Sequence, residues 1–165
     1  MMKFTPRVKD AKDSAGQIYD TLEPVVKGLG MALIELAVSR HKGSGASKGS
    51  IQVKAVVYRA GAIGIDDCSK AHKAVMPRLE LAFPGLDVYL EVSSPGIDRL
   101  IKDGSEFAHF EGRGVRCYRT DISDWTGGIL LSSDDKGIVL KTLNGEASLE
   151  YEIIAKAKLD HSVEA

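Results

Sequence analysis

The sequence predicts an α+β protein in two parts: an α-β-β-α-β two-layer domain over residues 1–95, and a small SH3/Sm-like β-barrel over residues 96–165. Three observations predict it. In the first part, two apolar stripes at helical spacing flank Val- and Ile-rich segments. A half-buried strand then runs into Ser93-Ser94-Pro95-Gly96, where pairing must stop because Pro95 has no N–H to donate and Gly96 admits unusual backbone angles. Beyond this seam the chain changes to short segments separated by turn residues.

Between Asp13 and Gly30, the residues Ile18, Leu22, Val25, Val26 and Leu29 fall on one helical face, with Gly28 or Gly30 as the stop. Pro24 is expected to kink this helix or mark a restart, since its ring removes one backbone bond. Ala32–Arg40 and Ile51–Arg59 read as two strands of a hairpin joined by a glycine- and serine-rich loop. Asp66 or Asp67 can cap a second helix that reaches about Phe83, with Cys68, Ala71, Val75, Leu79 and Phe83 on its apolar stripe and a bend expected at Pro77. Val88, Leu90 and Val92 alternate with Asp87, Tyr89 and Glu91, which gives a third strand. Because this strand follows a helix, one pairing of the sheet must be non-local.

Past the seam, a helical turn is expected at Ser105–Phe110, then strands at 114–120, 127–133, 137–142 and 149–159, in a barrel of about five short antiparallel strands. Asp134-Asp135-Lys136-Gly137 and Asn144-Gly145 supply turn chemistry between them.

Composition narrows the function classes. The 165 residues are 44% hydrophobic with a formal charge of −1, the balance of an ordinary globular chain. No apolar run approaches the roughly 20 residues of a membrane helix, and the first residues lack the apolar core of a secretory signal, so a cytoplasmic protein is expected. Cys68 and Cys117 have no CxxC spacing, and His41, His72, His109 and His161 have no metal-ligand spacing, so reduced cysteines, no metal and no cofactor are expected. Ser93 and Ser94 have no His or Lys beside them, and adjacent Asp66 and Asp67 do not face each other on a helix, which argues against an enzyme at the seam. Aromatic residues make up only 6%, too few for a base-stacking sheet, and Trp125 reads as a rim packing residue.

Charge is divided unevenly. Up to Pro95 there are 13 Lys and Arg against 10 Asp and Glu, a net +3, and from Gly96 there are 9 against 13, a net −4. Nucleic-acid binding therefore needs a local patch. The loop between the first two strands carries Arg40, Lys42 and Lys48, with His41 beside them. It fails as a Walker loop because Lys48 precedes Gly49-Ser50, and it fails as a dinucleotide fingerprint because Lys48 stands where a third glycine is needed. Its cations can neutralise RNA phosphates, which position a protein without reading sequence. Ser94, Pro95, Gly96, Asp98 and Arg99 are expected to form the interdomain hinge.

Glu91-Val-Ser-Ser-Pro-Gly-Ile-Asp-Arg99 resembles the hallmark of the bacterial ribosome maturation factor RimP family. Leu22-Glu-Pro-Val-Val26 with Leu29-Gly30, Gly64-Ile-Asp-Asp-Cys68, Thr126-Gly-Gly-Ile-Leu-Leu131 and Ile154-Ala-Lys-Ala-Lys-Leu159 are similar to its other segments. Leu100 stands where the family usually has proline. The resemblance implies an α/β domain followed by an Sm-like barrel, acting as a monomer without catalysis. It also implies binding to the immature small ribosomal subunit through its rRNA and a core ribosomal protein. A generic Sm-type RNA-binding regulator is the alternative.

Overall fold

The computed structural model describes residues 1–5, 14–45, 48–60 and 64–164. Helix α1 (Ser14–Gly28) lays Ile18, Tyr19, Leu22 and Val26 into the core, and the Tyr19 hydroxyl donates to the Leu33 carbonyl at 2.8 Å. That bond ties the helix to strand β1 (Ala32–His41). Pro24 lies inside one continuous helix, so the expected restart does not occur. Asp13, the expected start, lies outside the described residues.

β1 pairs antiparallel with β2 (Ser50–Tyr58), and β2 pairs parallel with β3 (Asp87–Ser93), giving the order β1-β2-β3. Parallel neighbours need a crossover, and helix α2 (Ile65–Ala82) supplies it, running through Pro77 as one element. This is the non-local pairing that the element order requires. Leu33, Ile51, Val53, Ala55 and Val57 meet Leu22, Val26, Ala71, Val75 and Leu79 in one apolar layer. Gln52, Lys54, Tyr89 and Glu91, one residue out of phase, are exposed. The sheet therefore has one covered face and one polar face.

In the C-terminal part, a 3-10 turn at Gly104–Phe110 leads into β4 (Gly114–Arg119), β5 (Asp124–Ser133), β6 (Gly137–Thr142), β7 (Gly145–Glu150) and β8 (Ile154–Leu159). These form an antiparallel sheet in the order β7-β6-β5-β4-β8, with no ladder joining β7 to β8 among the described residues. The segment expected as one strand from Leu149 to Leu159 is broken by a 3-10 turn at Tyr151–Ile153. β5 begins at Asp124, earlier than expected, which places Trp125 opposite Tyr118 in the ladder. The β6–β7 turn falls on Leu143-Asn144, one residue before the expected Asn-Gly, because Thr142 pairs with Gly145. There the Thr142 hydroxyl donates to the Gly145 carbonyl at 2.7 Å and Gly145 has a φ of +108°, a conformation that favours glycine.

The chain divides into two compact units, Val8–Pro95 and Gly96–Ala165 together with Met1–Arg7. The first residues thus belong with the second unit, although the expected boundary puts them with the first. The Met2 N–H donates to the Tyr151 and Ile154 carbonyls at 3.3 and 2.8 Å, Phe4 stacks on Tyr151 at 5.9 Å, and the Thr5 N–H donates to the Asp103 carboxylate at 2.9 Å. Nothing in Met-Met-Lys-Phe-Thr signals such a pairing, because it depends on acceptors about 100 and 150 residues away.

Candidate nucleic-acid interface

The β1–β2 hairpin holds the cations singled out by the sequence. Arg40 and His41 end β1, Lys42 follows immediately, and Lys48 precedes β2 by two residues; all four are exposed. Residues 46–47 of the tip lie outside the described residues. The base of the hairpin is tight: a Cβ at Gly49 would stand 3.0 Å from the His41 carbonyl oxygen and 3.2 Å from Leu86, and the Gly49 carbonyl accepts from the Asp87 N–H at 3.1 Å. A rigid base thus carries an exposed cationic end.

The three cations do not share one environment. Arg40 turns toward the helices, with its guanidinium 5.2 Å above the Phe83 ring, a cation–π contact that limits its rotamers. It lines a groove of about 260 Å³ with Gln17 and Thr21 of α1, Arg78 of α2 and Phe83. Sequence reasoning missed Arg78, since periodicity marks only the buried stripe and Arg78 is brought to Arg40 by tertiary packing of α2 on the sheet. Arg59 is occupied: it donates to Asp67 at 2.7 Å, and Asp67 also accepts from the Gly64 N–H at 3.0 Å. That is the capping role read for the aspartate pair, carried by Asp67.

At the seam, Ser94, Gly96 and Asp98 are exposed and Pro95 is half-buried. The Arg99 N–H donates to the Gly96 carbonyl at 3.2 Å, closing a turn. The Arg99 carbonyl accepts from the Leu159 N–H and the Ile101 N–H donates to the Ala157 carbonyl, both at 2.9 Å, so Arg99–Ile101 runs beside β8. Its guanidinium pairs with Glu106 rather than with the neighbouring Asp98. Asp103 caps the following 3-10 turn; burial raises its carboxyl, but bonds from the Thr5 and Ser105 N–H groups outweigh this and hold it below the usual range.

Elsewhere, Trp125 packs edge-on against Tyr118 at 5.5 Å with Lys158 above it at 5.6 Å, a packed rim position that is 37% exposed. His72 Nε2 lies 3.1 Å from the Leu90 carbonyl oxygen. Among the described residues no group of three or more His, Cys, Asp or Glu could hold a metal, and no helix is long and apolar enough to cross a membrane.

The fold and this hairpin define a two-unit α+β protein with a cationic projection on its N-terminal unit. Residues 21–98 match a family model described as the RimP N-terminal domain. The chain is 31% identical over 143 residues to the ribosome maturation factor RimP of Borrelia hermsii, covering 87% of this chain and 94% of that protein. It is equally similar, with the same coverage, to the ribosome maturation factor RimP of Borrelia turicatae. The factor of the same name from Borrelia recurrentis is 29% identical over an equal span. The chain belongs to the RimP family.

Proposed function

We propose that this protein is a ribosome maturation factor that assists assembly of the small ribosomal subunit by binding, without catalysing a reaction. The observation that carries this reading is the near full-length likeness to proteins named ribosome maturation factor RimP, which spans both units. Arg40, Lys42 and Lys48 would contact rRNA phosphates from the hairpin. The stretch from Gly96 onward, with its net charge of −4, suits a basic core ribosomal protein through complementary charge. Such a factor must hold an assembly intermediate more tightly than the finished particle, since only differential affinity shifts a population.

We further infer that the second unit is a curled SH3/Sm-like barrel. The order β7-β6-β5-β4-β8 supports this, as does the register shift between Leu130 and Ser132 in the last third of β5, the kind of irregularity that lets a strand bend. Ser94, Pro95 and Gly96 would serve as the connection between the units, with Asp98 in the turn and Arg99 anchoring its far end through Glu106. The protein would act in the cytoplasm as a monomer.

The test is co-sedimentation with purified free small subunits, large subunits and assembled ribosomes over a salt series. Retention by free small subunits alone is expected, and replacing Arg40, Lys42 and Lys48 with Ala should flatten the salt dependence by about 2 to 3 log units per log of salt. Equal retention on all particles would overturn the reading, as would a barrel unit that forms a ring on short RNA by itself, the behaviour of a generic Sm-type regulator.

A further inference from the structure

We propose that the groove between α1 and α2 is a built subsite for an RNA phosphodiester, with Arg78 and Arg40 as its two cations. The proposal rests on the reading that this protein binds rRNA, and it extends the footprint from the hairpin onto the helical layer.

Four features of the groove carry it. Arg40 and Arg78 come from different elements, the end of β1 and the fourth turn of α2, and line the same space of about 260 Å³. Among the described residues neither forms an ion pair, and no carboxylate lines the groove. Two other cations of this unit do face carboxylates: Arg59 is bound to Asp67, and Lys54 lies 4.0 Å from Glu91. Arg40 is held in place by Phe83, so little side-chain entropy is lost when it meets an anion. Gln17 and Thr21 add a polar wall, with the Thr21 hydroxyl already donating to the Gln17 carbonyl at 3.0 Å and the Gln17 side-chain amide exposed. Two guanidinium groups over an apolar floor, with an amide beside them, suit a phosphate flanked by a sugar or base better than a free inorganic ion, which needs no floor. The same unit presents exposed Lys42 and Lys48 on the hairpin that Arg40 begins, so a strand leaving the groove on that side can meet further cations.

The experiment measures equilibrium binding of the full chain to purified free small subunits across a potassium chloride series. The variants are R78A, R78K and the double variant K42A/K48A. R78A is expected to weaken binding about 3- to 10-fold near physiological salt and to lower the slope of log affinity against log salt by about 1. R78K, which keeps the charge, should restore the slope. If R78A changes neither quantity while K42A/K48A flattens the slope, the groove is not a phosphate site and the hairpin reading survives alone. Weaker binding of R78A at an unchanged slope would mean that a protein surface meets the groove, which also overturns the proposal. A wild-type chain that shows no salt-dependent binding would sink the rRNA reading itself. Thermal unfolding of each variant separates folding from binding, and R78Q replaces R78A if the latter melts early.

Discussion

Arg99 grips Glu106 from across a turn: its Nε lies 3.3 Å and its terminal nitrogen 3.2 Å from the carboxylate oxygens, with the two side chains only 10% and 7% exposed. A residue of the seam motif is thus bonded inside the second unit, and the Asp-Arg adjacency in sequence reflects no pairing between those two.

Breaking that pair from the Glu106 side should take a bidentate contact from the buried Arg99 guanidinium. Glu106→Ala is expected to destabilise the second unit by about 3 to 5 kcal/mol, whereas replacing both residues with apolar ones of similar volume costs much less. Urea unfolding followed by Trp125 fluorescence measures both, and similar losses for the single and double variants would contradict the expectation.

Acid should weaken the 3-10 turn at His161–Glu164, which follows β8. Burial raises the Glu164 carboxyl, but the Gly114 N–H at 2.9 Å, the Arg113 guanidinium at 2.7 Å and His161 together bring it down to about 2. A carboxyl depressed by folding contributes stability above its unfolded value, near 4.5, and loses it as pH falls toward 2. Thermal melts from pH 6 to pH 2 should therefore decline more steeply for the wild type than for Glu164→Gln, and parallel curves would refute the assignment.

Gly114 has no room for a side chain. A Cβ there would meet the Asp160 carbonyl oxygen at 2.3 Å and Val163 at 2.5 Å, so Gly114→Ala must displace backbone and should cost about 1 to 3 kcal/mol. Gly28→Ala, whose Cβ would meet nothing within 4 Å, is the matched control and should cost far less by the same denaturation measurement.

The two thiols should react at different times. Cys117 is fully buried, and burial pushes its thiol up to about 12, while Cys68 is half-buried and raised by burial and then by the neighbouring Asp67 charge. At pH 8 a thiol reagent should modify Cys68 first and Cys117 only at the rate of global unfolding. Equally fast labelling of both would show that the β4 core opens readily.

Both apolar stripes, all three strands of the first sheet and the Pro-Gly stop were readable because burial imposes a period of 3.6 or 2 on the residues themselves, and Ile18, Leu22 and Val26, or Ile51, Val53 and Ala55, keep that period within one element. The cationic hairpin was readable as composition. The sequence determined, by itself, the two long helices, the three strands of the first sheet, where charge collects and which family motif the seam carries. Only the tertiary structure decided what those residues face. The Met1–Thr5 segment joins the second unit, the last long strand breaks at Tyr151–Ile153, and Arg78 comes to share a groove with Arg40. Each of these depends on partners tens of residues away. Periodicity records whether a side chain is buried, and carries no trace of the distant atom that buries it.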